Sequence, residues 1–365
     1  MQKATLFKKL DEDRVQCTCC QRYCVVEKGR RGFCGVRKNI DGELFLNVYG
    51  KAIAVNVDPV EKKPLYHFLP GSKIFSFGTL GCNFRCAFCQ NWDISQPLAI
   101  AKEKYGKGEE GEIKIAQILE DGQALSPKQI VDYCLANAIP AIAYTYNEPT
   151  IFSEYAHDTG VLAHKYGIKN VYVSNGYESK ECLKYMKDFC DAINIDIKSF
   201  NEDFYMNTCG WVKLAGIKET IKRSHEIGFW VECTTLVIDQ ENDSDEELKS
   251  IAKFLAKISQ DIPWHVTAFH PDFKMTDKKA TPVSTLLRAW KIGKDAGLKY
   301  VYIGNIPRRG GQVGGTNHGN TLCPKCDKVL IERGDMDCRK NEITISKRGI
   351  GKCLECGEKI AGVWK

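Results

Sequence analysis

From residue 72 onward the chain alternates short apolar runs with longer stretches whose apolar positions recur every three or four residues. The runs "KIFSFGTL", "AIAYTYNEP", "NVYVSNG", "AINIDIKS", "FWVECTTLVI", "WHVTAFHP" and "KYVYIGN" predict strands. The stretches "TIFSEYAHDTGVLAHKYG", "SKECLKYMKDFC", "LAGIKETIKRSHEIG", "SDEELKSIAKFLAKIS" and "VSTLLRAWKIGKDAG" predict helices between them. Two further signals mark helix starts. Ser126-Pro127 reads as N-cap and first helical residue of a helix to about Asn137. Ser244 and Glu247 read as a capping box.

Such alternation implies parallel strands joined by right-handed crossovers. Six or seven units predict an α/β fold with a partial (β/α)6-type TIM barrel. In that architecture, sites form at the C-terminal ends of the strands. The polar residues there are Asn147 and Glu148, Ser174 and Asn175, Asp196 with Lys198, and His270. Each alone is an ordinary turn or capping residue. Together with a cysteine loop after the first strand they would ring one mouth.

The flanks differ in composition. Residues 1–40 are cysteine-rich and basic, and 41–71 alternate in strand fashion, predicting a β-hairpin bridge over the 72–306 core. The segment around "EKYGKGEEGEIK" is charged and reads as exposed. Residues 307–320 have a Gly-rich linker composition, and Arg308 and Arg309 beside glycines also suit an anion-binding nest. A cysteine-containing tail covers 321–365.

The chain has 365 residues, 43% hydrophobic and 27% charged, as expected of a globular protein of two or three domains. A net charge of +6 tolerates nucleic acid or an acidic partner without requiring either, and an ordinary solvated surface is the simpler reading. "MQKATLFKKLDEDR" has no apolar signal core, and no run approaches the ~20 apolar residues that span a bilayer. A cytoplasmic location without membrane contact is therefore expected. There, 18 cysteines stay reduced and read as metal ligands or catalytic groups. Cys134, Cys182, Cys190, Cys209 and Cys233 are scattered singly, as buried packing cysteines are.

The stretch "GTLGCNFRCAFCQNW" spaces Cys82, Cys86 and Cys89 as C-x-x-x-C-x-x-C. A [4Fe–4S] cube held by three cysteines leaves one iron without a protein ligand, and an open position marks a catalytic metal site. Zinc completed by a distant histidine is the alternative. This loop, following a strand in a β/α barrel, resembles the radical S-adenosylmethionine (SAM) superfamily. The resemblance implies that SAM chelates the open iron and is cleaved reductively to a 5′-deoxyadenosyl radical, which abstracts hydrogen from a substrate. It implies that Cys82, Cys86 and Cys89 carry the catalytic cluster and that Phe88 lies near the adenine. "YTYNEPT" stands where the family often has Gly-Gly-Glu, so Glu148 carries over better than the glycines, with Asn147 beside it. "VSNG" looks like the ribose-contacting strand end, giving Ser174 and Asn175. "NIDIKS" is similar to the pyruvate formate-lyase activating enzyme branch, where Asp196 and Lys198 would hold ribose hydroxyls and the methionine carboxylate. "FHPDFKM" puts His270 near the adenine. The N-terminal "CTCCQRYCVVEKGRRGFCGVR", "NEPT", "FHPDFKM" and closing "GVW" resemble the AmmeMemoRadiSam-system radical SAM enzymes across nearly the whole length. That resemblance implies AMMECR-type and Memo-type partner proteins and a reductant such as flavodoxin or ferredoxin.

In the tail, Cys323, Cys326, Cys353 and Cys356 form two C-x-x-C knuckles, the ligand set of a structural zinc ribbon, with room for a hairpin insertion carrying Cys338. At the N-terminus, Cys17, Cys20, Cys24 and Cys34 have ligand-like spacing for zinc or a second iron–sulfur cluster, and Cys19 is left outside the set. Hydrogen abstraction from a partner protein or small molecule is the leading functional expectation, with a glycyl-radical activase as alternative. A zinc-ribbon nucleic-acid-binding or assembly protein with a degenerate barrel is the reading from another class.

Overall fold

The computed structural model describes residues 1–106, 108–306, 318–334 and 337–365. Eight strands lie side by side in chain order in one sheet: Ala54–Pro59 (β1), Lys73–Gly78 (β2), Ala141–Tyr144 (β3), Lys169–Ser174 (β4), Ala192–Asp196 (β5), Trp230–Val237 (β6), Trp264–Ala268 (β7) and Val301–Gly304 (β8). β2 to β8 are mutually parallel, whereas β1 runs antiparallel to β2. The edges β1 and β8 are not paired to each other, so the barrel is partial, as the sequence predicts. Helices occupy each of the six crossovers, and strands such as β3 are buried along their whole length, as parallel strands covered on both faces must be.

Helix starts follow their local chemistry. Ser126 Oγ accepts the N–H of Gln129 while the Gln129 side chain accepts that of Ser126, starting the helix Pro127–Ala136 (α1). At the helix Asp245–Ile258 (α2) the expected box is half made. Ser244 caps Glu247 N–H, but the Glu247 carboxylate turns to Ser199 Oγ and Phe200 N–H instead. It thereby holds the loop that follows β5.

The charged segment read as exposed, residues 103–114, is mostly exposed where it is described. It covers the end of the helix Pro97–Tyr105 and the start of the helix Glu109–Ile118, whose buried Leu98, Ala101 and Ile115 lie outside it. Pro97 opens the first, and acidic residues favour the N-terminal turn of the second. Glu112 reaches Arg31 Nε at 2.9 Å. The segment read as a bridging hairpin is divided. Glu43–Leu46 pairs with Arg37–Ile40 and Gln2–Lys3, whereas Ala54–Pro59 is β1 and takes its hairpin partner, β2, from beyond residue 71. Residues 307–317, most of the segment read as a linker together with Arg308 and Arg309, lie outside the described residues.

Opposite ends of the barrel carry the two cysteine-rich flanks. The N-terminal residues pack at the C-terminal strand ends, where Gln21 N–H donates to Tyr177 O at 3.0 Å. A buried Arg37–Glu154 ion pair ties them to the core. The C-terminal residues form two three-stranded antiparallel sheets against the loop joining β1 to β2. Leu69 N–H donates to Val363 O at 2.8 Å and Val363 N–H to His67 O at 2.7 Å. His67 is fully buried between Ala361 O (2.6 Å) and Tyr302 Oη (2.5 Å). Among the described residues, no helix is long and apolar enough to cross a membrane.

Candidate active site

β2 ends at Gly78, where a Cβ would stand 2.5 Å from Thr145 O. That close approach lets β3 brace the loop that follows. Tyr146, at φ +72, turns the chain after β3 so that Asn147 reaches back. Asn147 Oδ1 accepts Thr79 N–H at 3.1 Å, and its Nδ2 donates to Thr79 Oγ1 and, at 2.7 Å, to Gly81 O. Both amide hydrogens are engaged, so Asn147 positions the cysteine loop; the expectation that it contacts a cofactor finds no free donor. The loop's far side is held by backbone bonds from Arg85 N–H to Cys209 O and from Ala87 N–H to Thr208 O, both 2.9 Å.

Cys82 and Cys86 are buried and Cys89 half-buried. Cys82 Sγ accepts Phe84 N–H at 3.4 Å and faces Asn175 Nδ2 at 3.6 Å. Cys89 Sγ lies 3.1 Å from Ser95 Oγ. Burial pushes the thiols of Cys82 and Cys89 up to about 12 and about 11. A hydrogen bond that the Cys86 thiol donates to Cys209, then burial, raises Cys86 as well. Thiols so placed shed their protons when a metal takes the proton's place.

Glu148 and Asn175 join this loop to β4. Glu148 Oε1 accepts Thr150 N–H and Ser174 Oγ–H, each at 3.0 Å, and Oε2 accepts Asn175 N–H at 2.7 Å. Burial raises its pKa, and these bonds oppose the shift. A second buried carboxyl, Glu178, shares Ser174 at 2.5 Å and Thr150 Oγ1 at 3.0 Å, and burial followed by the Glu148 charge pushes it up to about 7. Beyond β5, Lys198 Nζ pairs with Asp196 Oδ2 at 2.6 Å and lies 6.0 Å from the Phe88 ring. Burial opposes the Lys198 charge, but Asp196 and Cys86 outweigh it and raise the ammonium's pKa. His270 sits at the exposed rim, 2.9 Å from Gln90 beside Cys89.

The sequence model of the Radical SAM superfamily matches residues 77–255, which span the cysteine loop, Glu148, Asn175 and the Asp196–Lys198 pair. The chain belongs to the radical SAM superfamily. It is 39% identical over 363 residues to the uncharacterized protein MJ0808 of Methanocaldococcus jannaschii, covering 99% of both chains. It is 27% identical over 226 residues to a putative glycyl-radical enzyme activating enzyme, MJ1632, of the same organism, covering 61% of this chain and 76% of that one. A domain of the pyruvate-formate lyase-activating enzyme from Bacteroides vulgatus aligns at 21% identity and TM-score 0.40, over 45% of this chain and 98% of that domain.

Membership implies a [4Fe–4S] cluster and SAM, and the residues of this radical SAM chain fit both. Three cysteine sulfurs share one loop, with N–H donors of Phe84 and Asn175 aimed at one of them, the outer-shell pattern of thiolate ligands. The same mouth carries the Glu148 carboxylate and the Lys198–Asp196 pair, which complement the ammonium, carboxylate and hydroxyls of SAM. Thus Cys82, Asn175, Glu148 and Ser174 form one contiguous set. Cys86, Phe88, Asp196 and Lys198 form another, and His270 connects only through Gln90.

Sequence reasoning missed Glu178, Ser95, Tyr205 and Asn83. Tyr205 Oη accepts Lys198 N–H at 2.8 Å. Glu178 lies in the loop after β4, Ser95 and Tyr205 on the short helices Trp92–Ser95 and Glu202–Asn207, and Asn83 inside the C-x-x-x-C spacing as one of its unspecified positions, so none carries a signal of its own.

The terminal cysteines differ from each other. Sγ atoms of Cys323, Cys326, Cys353 and Cys356 all lie within 4.8 Å of one another, a geometry that can bind a single metal ion, while Cys338 stays outside. Cys17, Cys20, Cys24 and Cys34 instead line a cavity beside the radical SAM loop. Cys19 Sγ turns to Thr150 O at 2.7 Å.

Proposed function

We propose that this chain binds a [4Fe–4S] cluster through Cys82, Cys86 and Cys89, binds SAM beside it, and abstracts hydrogen from a partner protein or small molecule. The observation that supports this most is the bridge made by Asn175, which links a cluster-loop sulfur to a buried carboxylate at the strand ends. When bound, the cluster and SAM together supply a 5′-deoxyadenosyl radical.

The protein's own residues bind and orient. Lys198 gives one N–H to Asp196 and keeps two on a dehydrated ammonium, suited to the methionine carboxylate, and Asp196 keeps an oxygen for ribose hydroxyls. Glu148 retains lone-pair capacity on Oε2 for the methionine ammonium. Phe88 gives an apolar face for the adenine, with His270 at the rim. Burial of the loop excludes water from a reactive radical. A low-potential one-electron donor of the flavodoxin or ferredoxin class supplies the electron.

A glycyl-radical activase is the second reading, favoured by the similarity to the putative activating enzyme of M. jannaschii. AMMECR-type and Memo-type proteins are the partners to try first, and a cytoplasmic setting suits the reduced cysteines. The C-terminal four-cysteine site is read as structural zinc. Anaerobic incubation with reductant, SAM and deuterated candidate substrates tests the reading. Deuterium appearing in 5′-deoxyadenosine from a small molecule or from a partner's glycine selects between the two. 5′-Deoxyadenosine without deuterium from any candidate counts against hydrogen abstraction.

A further inference from the structure

The N-terminal cysteines adjoin the catalytic loop without belonging to it. Cys17, Cys20, Cys24 and Cys34 line one cavity together with Cys19, whose Sγ is engaged by Thr150 O at 2.7 Å, and Asn83, between Cys82 and Cys86 in sequence, forms part of its wall. Arg22 from the N-terminal side donates to Asn83 O at 2.7 Å, and Arg85 from the loop donates to Phe33 O at 2.7 Å. Gly81, at φ +86, would place a Cβ 2.8 Å from Cys34 O, so the two loops touch through backbone.

Two observations identify what the cavity takes. The first is sulfur spacing. One zinc ion holds four thiolates at about 2.3 Å from a single centre, which crowds the sulfurs together as in the C-terminal group. Among the described residues, no other three cysteine, histidine or carboxylate ligand atoms are gathered in this way. A cube instead takes each thiolate on a different iron, and so needs its cysteines spread around a cavity. The N-terminal four line a cavity without being gathered as a single-ion group, and Cys82, Cys86 and Cys89 are likewise not so gathered.

The second is an orphaned donor. Asn83 is 1% exposed, and its Nδ2 is buried without a hydrogen-bond partner. Buried donors are almost always matched, and one left over in a cavity wall marks a missing acceptor. The Asn83 Oδ1 end is already turned to Cys82 Sγ, at 3.9 Å. An inorganic sulfide or cluster-bound thiolate in the cavity would accept from Nδ2.

We propose that Cys17, Cys20, Cys24 and Cys34 hold a second, fully cysteine-ligated [4Fe–4S] cluster, with Asn83 Nδ2–H donating to one of its sulfurs. The proposal rests on the radical SAM reading only for the neighbouring cluster. Asn83 then stands between two clusters, and the N-terminal one is placed to accept an electron from the reductant and pass it to the catalytic loop.

Metal analysis of the full chain, reconstituted anaerobically with iron, sulfide and zinc all present, tests this. The wild type is expected to hold about eight irons and about eight sulfides, with about one zinc. Combined Cys82→Ala, Cys86→Ala and Cys89→Ala substitution should leave about half the iron, with a reducible cluster signal in electron paramagnetic resonance. Combined Cys17→Ala and Cys20→Ala substitution should remove the other half. Should that variant fail to fold, Asn83→Leu in the background lacking the catalytic cysteines provides a second readout. It should keep its iron and lower the reduction potential, because a hydrogen bond to sulfur favours the reduced cluster. About four irons and two zincs in the wild type, with all iron lost from the variant lacking the catalytic cysteines, would overturn the proposal. An unchanged potential in Asn83→Leu would remove Asn83 from it. Eight irons without 5′-deoxyadenosine would sink the radical SAM function and leave this site standing; four irons with 5′-deoxyadenosine would do the reverse.

Discussion

The backbone N–H of Asn175 donates to Glu148 Oε2 at 2.7 Å, while the same residue's Nδ2 faces Cys82 Sγ at 3.6 Å. The end of β4 therefore reads the positions of a carboxylate and a metal-ligand candidate at once. An amide has one acceptor oxygen where a carboxylate has two. Glu148→Gln should thus leave one buried N–H, of Thr150 or Asn175, without an acceptor. A loss of about 1–3 kcal/mol in stability is expected, together with SAM binding weakened by about tenfold or more at unchanged iron content. Denaturant melts and equilibrium SAM binding on the same reconstituted sample measure both. Wild-type values for each would contradict the assignment.

Lys198 gives a cleaner separation of cofactor binding from cluster assembly. Its ammonium is buried and, among the described residues, makes no hydrogen bond to the loop cysteines, yet it sits among Asp196, Phe88 and Cys86. Lys198→Met should retain the iron content and lose charge-assisted bonding worth about 1.5–3 kcal/mol, so SAM dissociation should rise about 10- to 100-fold. Lys198→Arg should not restore it fully, since a planar guanidinium does not fit a point-charge site. A variant that loses iron along with SAM affinity would place Lys198 in the scaffold instead.

Much of this site was legible in the sequence, because parallel strands carry their functional residues at one end. Glu148, Ser174, Asn175, Asp196 and Lys198 each fall just after an apolar run, and the structure gathers them. What could not be read was the direction of side chains within loops. Asn147 sits in the same kind of position but folds back on Thr79 and Gly81, and Glu247 leaves its own cap for Ser199. Glu178 gave no pattern at all, because its role depends on a turn that brings it against Glu148. The strand character of β1 was legible within 41–71, but its pairing with β2 across residues 60–72 was not, because alternation marks a strand without naming its partner. Helices at 97–118 were obscured by surface charge, which does not prevent a helix from burying one face.

His67 predicts a pH dependence at the far end of the barrel. Burial pushes its pKa down from 6.5 to about 4, so the native protein keeps the ring neutral between Ala361 O and Tyr302. Above pH 6.5 the ring is neutral in both folded and unfolded chains and contributes no slope. As the pH falls from 6.5 toward 4, only the unfolded chain gains the proton, and stability declines by on the order of 3 kcal/mol before levelling off. Urea melts at pH 7 and pH 5 should show this loss in the wild type and a smaller one in His67→Gln. Equal losses in both would assign the slope to other groups.

The C-terminal four-cysteine group predicts a structural metal that acts at a distance from the chemistry. Its sulfurs converge in pairs, Cys323 with Cys356 at 3.5 Å and Cys326 with Cys353 at 3.7 Å, from two knuckles braced by backbone hydrogen bonds. Cys323→Ser should abolish about one bound zinc per chain and make residues 318–365 sensitive to protease, because metal binding supplies folding free energy in so small a unit. The iron content of the same sample should stay constant. Full zinc retention would show that the group is not the ligand set.

The radical SAM function is tested most directly by the amount of 5′-deoxyadenosine formed when the anaerobically reconstituted chain is reduced in the presence of SAM. The wild type should release it, and Cys82→Ala, lacking one of three cluster ligands, should release none above the protein-free background. No 5′-deoxyadenosine from a wild-type sample with its iron and sulfide intact would contradict the radical SAM function proposed for this chain.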